Sequence, residues 1–126
     1  MKTSVALICP GSRDPKWCRV FETLAATLQA QKPEQEIRLC YMEIATPTLM
    51  DIVSAWTLTM SGVENFKVRV LPLFMASGGH VDNDIPVLVN EVATAFPGLD
   101  IALERPIGEN PMVVAAIGDI VTSLCE

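Results

Sequence analysis

The chain predicts an α/β domain built on a parallel β-sheet with helices on both faces. Four short apolar runs rich in branched residues recur along it, stretches with helical spacing lie between and after them, and cap-plus-proline pairs mark where helices begin. Alternation of this kind gives the order βαβαβαβα, a parallel sheet and right-handed crossovers.

The apolar runs are Ser4–Cys9, Glu36–Met42, Phe66–Leu71 and Asp100–Leu103, and each reads as a buried parallel strand. Helical spacing joins Val20, Leu24 and Leu28, then Leu49, Ile52, Val53 and Trp56, then Val113, Ile117, Ile120, Val121 and Leu124. These are expected to be amphipathic helices covering the sheet. Asp14-Pro15, Thr46-Pro47 and Asn110-Pro111 each pair a good N-cap with a proline suited to the first helical position. Asp84-Ile85-Pro86 is a variant, with Asp84 expected to cap the third helix.

With 126 residues, 50% of them hydrophobic, the chain has the material for one domain with a real core, spanning 1–126. Nine Lys and Arg against fifteen Asp and Glu give a net charge of −6, which argues against a surface made to neutralise nucleic-acid phosphates. Lys2 is followed only by Val5 to Cys9 before Pro10-Gly11, too short for a signal-peptide apolar region, and no later run approaches membrane-spanning length. A cytoplasmic protein with neither nucleic acid nor membrane as partner is expected. Cys9, Cys18, Cys40 and Cys125 have no C-x-x-C spacing and read as small core residues, although Cys9 borders the candidate site.

Ligands of open parallel sheets bind beyond the carboxyl ends of the strands. The loops that matter are therefore Pro10 to Asp14, Glu43 to Thr46, Pro72 to Asp84, and Glu104 to Asn110. His80, the only histidine, stands in the third of these, where imidazole could take a proton or hold a metal ion. Gly78-Gly79 supplies backbone freedom to turn it toward the cleft. Glu43 follows directly on the second strand, where a carboxylate could act as base or metal ligand, or equally as a solvated charge. Arg13, Lys16 and Arg19 lie near the first helix start and could hold carboxylates of an anionic ligand, or form a solvated helix face. Cys9-Pro10-Gly11-Ser12-Arg13 matches neither a dinucleotide fingerprint nor a P-loop.

Four segments together carry a resemblance: Pro10-Gly11-Ser12-Arg13-Asp14-Pro15, Tyr41 to Leu49, Leu71-Pro72-Leu73-Phe74, and Gly78-Gly79-His80-Val81-Asp82-Asn83-Asp84-Ile85-Pro86. In this order and combination they resemble the short form of the CbiX and SirB type of sirohydrochlorin chelatase. The resemblance implies a chelatase-like (flavodoxin-like) three-layer sandwich with a four-stranded parallel sheet. It also implies a homodimer with a cleft between subunits, sirohydrochlorin or a related tetrapyrrole as partner, and no organic cofactor. The substrate metal it implies is divalent, Co²⁺ first, with Fe²⁺ or Ni²⁺ as alternatives. Carried over position by position, it makes His80 and Glu43 the catalytic and metal-binding residues. Ser12 and Arg13, with Gly78 and Gly79, fall at the substrate.

Metal insertion requires two pyrrole N–H protons to leave as the ion enters, so the site must present the ion and accept protons. Imidazole and carboxylate suit both tasks. The resemblance also points to a histidine immediately before the first G-S-R motif, and there this chain carries Pro10, which has no lone pair to offer. Cys9 is adjacent, but consecutive strand side chains point to opposite faces, so it need not replace the missing ligand. Three readings follow: a chelatase relying on His80 and Glu43, a tetrapyrrole or metal binder without turnover, or a regulatory relative that has kept the fold alone.

Overall fold

Strands β1 (Lys2–Cys9), β2 (Glu36–Tyr41), β3 (Phe66–Pro72) and β4 (Asp100–Leu103) lie where the apolar runs predict them, in a computed structural model of the chain. The structure describes residues 2–11, 16, 18–76 and 80–125, the side chains of 80–82 excepted. The strands form one sheet in the order β2-β1-β3-β4, with every neighbouring pair parallel. In register, Ile8 of β1 stands between Cys40 of β2 and Pro72 of β3.

Four helices follow the strands: α1 (Arg19–Gln31), α2 (Leu49–Thr59), α3 (His80–Ala95) and α4 (Pro111–Leu124). The steps β2 to β3 and β3 to β4 run the same way across the sheet, so right-handed crossovers put α2 and α3 on one face. The step β1 to β2 runs the other way and puts α1 on the opposite face. The main core fills the α2/α3 side, where Ala6, Ile8, Cys40, Phe66, Val68 and Val70 of the strands meet Leu49, Ile52, Val53 and Trp56 of α2. Ile85 and Val92 of α3 close it, and the Trp56 ring stands edge-on to Phe66 with centroids 6.4 Å apart. On the α1 side a smaller cluster joins Cys9, Cys18 and Tyr41 to Phe21 and Leu39.

The helix starts correct several expectations. α2 is capped by Thr48, not Thr46: its hydroxyl accepts from the Asp51 N–H at 3.2 Å, and the Asp51 carboxylate accepts from the Thr48 N–H at 2.9 Å. Pro47 stays outside the helix because its carbonyl accepts a hydrogen bond from the Tyr41 N–H at 2.9 Å, tying it to the end of β2. The bond preceding it, Thr46–Pro47, is cis. α1 begins at Arg19 after Cys18, which makes no side-chain cap, and Asp14-Pro15 lies outside the described residues. Asn110-Pro111 behaves as expected, with the Asn110 side chain accepting from the Met112 N–H at 2.8 Å.

α3 begins at His80, so Asp84 is not its cap and Pro86 falls inside the helix. An interior proline withdraws one helical hydrogen bond, a cost of about 3 kcal/mol. Ile85 and Val92, both almost fully buried, offset it at roughly 1.5–3 kcal/mol each.

Two helices do not bury the stripes their spacing suggests. α1 packs through Phe21 and Ala25, leaving Val20 and Leu24 exposed. α4 buries no residue at all. Cys125, just beyond it, is exposed and not the core residue expected.

Ser4 is fully buried beside the main core, and its hydroxyl has no hydrogen-bond partner among the described residues. Removing an unsatisfied buried hydroxyl is neutral or favourable, so Ser4→Ala should leave stability unchanged or raise it by up to about 1 kcal/mol in urea unfolding. A loss of more than about 1 kcal/mol would mean that the hydroxyl is paired.

Candidate functional site

The sheet's hydrogen bonding continues past the strand ends into the loops. The Met42 N–H donates to the Cys9 carbonyl at 2.9 Å, Leu73 to Ile8 at 2.8 Å, and Glu104 to Val70 at 2.8 Å. The loops after β2, β3 and β4 therefore leave the sheet in fixed directions along one rim. The order of connection reverses between β1 and β3, the topological switch point at which open α/β sheets hold ligands.

Glu43 sits on this rim with its backbone held from two sides. The Ala45 N–H donates back to the Glu43 carbonyl at 2.7 Å, closing a three-residue turn around Ile44, whose φ is +70°. That conformation is strained for a β-branched residue and costs on the order of 1–3 kcal/mol. On the other side Gly11 of the first loop packs so closely that a Cβ there would run into the Glu43 carbonyl. Glycine is required by this approach of two backbones.

The Glu43 side chain is exposed and lines an open cavity of about 210 Å³ with Met42, Asp84, Val87 and Leu88. Asp84, expected as a helix cap, instead brings a second carboxylate to the cavity that Glu43 lines. Positions 80 and 84 lie one turn apart on α3, a spacing that carries no sequence signal relating Asp84 to Glu43.

The loop after β3 is braced from β4. Gly108, in the 3-10 turn Ile107–Glu109, donates its N–H to the Phe74 carbonyl at 3.0 Å, and a Cβ there would strike the Met75 backbone. A second rim cavity of about 370 Å³ opens nearby, lined by Leu71, Leu103, Arg105, Ile107 and Asn110 among others. Arg105 is a cation on the rim that the sequence reading did not single out.

Beneath the first loop lie Cys9 and Cys18, both buried, with sulfurs 3.5 Å apart. Burial and the neighbouring Cys18 thiol push the Cys9 thiol far above the ordinary cysteine range. Cys40, buried in the other layer, is pushed up to about 12 by burial. Neither offers a thiolate near neutral pH. Cys9 packs with Cys18, Tyr41 and Phe21 on the α1 side of the sheet. The Tyr41 hydroxyl, donating to Glu22 at 2.7 Å, is likewise raised, first by burial and then by that bond.

Of the residues the sequence singled out, Glu43 stands on the rim at a cavity. His80 is the first residue of α3 and not a loop residue, with its side chain outside the described set. Ser12, Arg13, Gly78 and Gly79 lie outside the described residues. Lys16 and Arg19 are exposed near the start of α1. Among the described residues no cluster of three or more His, Cys, Asp or Glu could hold a metal ion.

A family model described as CbiX matches residues 4–124, almost the whole chain. The chain belongs to the CbiX family. It is 28% identical over 120 residues to a sirohydrochlorin cobaltochelatase of Methanococcoides burtonii, covering 89% of this chain and 88% of that one. It is 30% identical over 122 residues to the sirohydrochlorin ferrochelatase of Bacillus subtilis, covering 93% of this chain and 43% of that protein. Among solved structures, a CbiX protein from Marinobacter aquaeolei VT8 superposes with a TM-score of 0.79 at 34% identity, covering 99% of this chain and 96% of the other. SirB from Bacillus subtilis with Fe³⁺ superposes with a TM-score of 0.72 at 26% identity, covering 98% of this chain and 48% of that chain. The chain thus spans about half the length of the Bacillus relatives and nearly the full length of the Marinobacter one.

Two outcomes check this geometry. Gly11→Ala should cost roughly 1–3 kcal/mol of stability in urea unfolding, since two backbones must separate to admit the methyl. An unperturbed Gly11→Ala protein would mean the loops are not in contact. In native protein at pH 8, Cys125 should react with a thiol reagent at least ~100-fold faster than the three buried cysteines, to which the reagent has little access.

Proposed function

We propose that this CbiX-family chain is a sirohydrochlorin chelatase, inserting a divalent metal into the tetrapyrrole with release of the two pyrrole protons. The observation that carries the reading is the pair of carboxylates, Glu43 and Asp84, lining one rim cavity one helical turn from His80. The names of the relatives from Methanococcoides and Bacillus support the reaction class.

In this reading His80 and Glu43 receive the incoming metal and accept the pyrrole protons, with Asp84 as the added carboxylate. Ser12, Arg13, Gly78 and Gly79 meet the substrate, whose carboxylates suit the guanidinium. The metal is substrate, held briefly and passed on, so a sparse ligand set favours release over storage. Co²⁺ is the proposed ion, with Fe²⁺ or Ni²⁺ as alternatives, since imidazole and carboxylate accept all three. Two chains together would make the working unit, matching the doubled length of the Bacillus relatives. A reducing cytoplasm suits three buried free thiols, two of them 3.5 Å apart. No helix among the described residues is long and apolar enough to cross a membrane.

Pro10 favours a second reading. It stands exposed at the end of β1, beside the switch point, where the resemblance points to a histidine. A chain with that ligand missing could bind tetrapyrrole or metal without turnover.

An anaerobic absorbance time course of sirohydrochlorin with Co²⁺ separates the two. Wild-type protein should accelerate insertion, His80→Ala should abolish the acceleration, and Glu43→Gln should reduce it by roughly 10²–10⁴-fold, the usual contribution of a proton acceptor. Insertion only by Pro10→His would establish the non-catalytic reading.

A further inference from the structure

Two described residues other than glycine hold a positive φ, Ser61 at +61° and Ile44 at +70°. Ser61 is small and unbranched, and it turns the chain just after α2 with Gly62 beside it. Ile44 differs in kind, because its branched Cβ crowds the backbone in a region that glycine or asparagine enters far more readily. The turn itself asks for no such side chain. Its closing bond runs between backbone groups, from the Ala45 N–H to the Glu43 carbonyl at 2.7 Å. Relaxation is blocked from the other side, where the Gly11 backbone lies against the same carbonyl.

Nor does burial account for the isoleucine. Ile44 is 65% exposed, so the fold gains little from its apolar surface. Two more apolar side chains stand open on the same rim: Val87, 54% exposed, lines the Glu43 cavity, and Met75, 59% exposed, lies in the loop after β3. A strained, branched and uncovered residue beside a rim carboxylate is the pattern in which strain serves an occupant of the site. Whatever covers Ile44 lies over the same stretch of rim as Glu43, since the two residues share a peptide bond. A second protein surface there would close the Glu43 cavity, whereas a ligand of that cavity covers both residues at once.

We propose that Ile44 is a substrate-contact residue, packing against the apolar face of the tetrapyrrole ring and setting affinity for the macrocycle but not for the metal. The inference rests on the tetrapyrrole reading above but not on turnover. The macrocycle carries its carboxylates at the periphery and a flat carbon face between them, and a branched aliphatic group complements the face alone. The braced turn holds that group in place before the ligand arrives, which limits the ordering that binding must supply.

The test uses Ile44→Asn, which suits a positive φ but lacks the apolar group, and Ile44→Leu, which keeps it. Stability and affinity should move in opposite directions. Without ligand, Ile44→Asn should melt about 2–6 °C above wild type as strain is relieved. In a metal-free absorbance titration it should bind sirohydrochlorin roughly 10-fold more weakly. In Co²⁺ insertion its KM for sirohydrochlorin should rise by the same factor, with kcat and the KM for Co²⁺ held, the mark of a contact made equally in ground and transition states. Ile44→Leu should restore affinity to within about 3-fold of wild type. Should Ile44→Asn fail to fold, Ile44→Gly makes the same test. Unchanged sirohydrochlorin affinity in the folded variant overturns the contact and leaves the chelatase reading standing. Weaker binding together with lower stability means that Ile44 supports the turn, and overturns it. A change of mass in light scattering means that a second chain covers Ile44, and overturns it as well. Wild-type protein that neither binds sirohydrochlorin nor inserts metal overturns the tetrapyrrole reading and this inference with it.

Discussion

β1 pairs with β2 on one side and β3 on the other, and this central position organises the rest of the molecule. Because all pairs are parallel, every connection must cross back over the sheet, and right-handedness then fixes which face each helix takes. α2 and α3 are driven together onto the Phe66 and Ile8 side and generate the main core. α1 is left alone on the other side, and one helix is too narrow for four strands. The same parallel order sends every strand's carboxyl end to one rim, with the reversal of connection between β1 and β3.

The rim is shaped by backbone before side chains act. Glu43 is placed by the hydrogen bond that extends β1 to Met42, by the turn at Ile44 and by the contact of Gly11. Gly108 performs the equivalent task for the loop that leads to His80. In both cases glycine is needed because another peptide occupies the space of a side chain. Strain at Ile44 is tolerated where the surrounding hydrogen bonds leave the chain no alternative. The carboxylate is therefore delivered to the cavity by backbone contacts.

The cysteines show how the α1 side is closed beneath this rim. The Cys9 and Cys18 sulfurs meet on this side, and Tyr41 joins the same cluster and donates its hydroxyl to Glu22. They act as packing. Beside this cluster an open groove is lined by Val5, Leu7, Leu28, Ile37 and Leu71 with Lys32 and Gln35.

The four strands were legible in the sequence to within two residues, because a strand covered by helices must be almost wholly apolar and such runs are short and distinct. Family membership was legible too, carried by the ordered Gly-Ser-Arg, Tyr41 to Leu49 and Gly-Gly-His segments. Glu43 was legible as a rim residue because it directly follows a strand. Helix starts were legible only where the cap acts locally, as at Asn110-Pro111. Thr46-Pro47 misled because the hydrogen bond from Tyr41 holds Pro47 to the sheet. Asp84 misled because burial of Ile85 and Val92 carries α3 through a proline. Tertiary structure alone decided that Gly11 touches Glu43, that Asp84 shares its cavity, and that α4 buries none of its residues. Each of these depends on contacts between segments far apart in the chain, and periodicity records which residues are apolar without recording what they will be buried against.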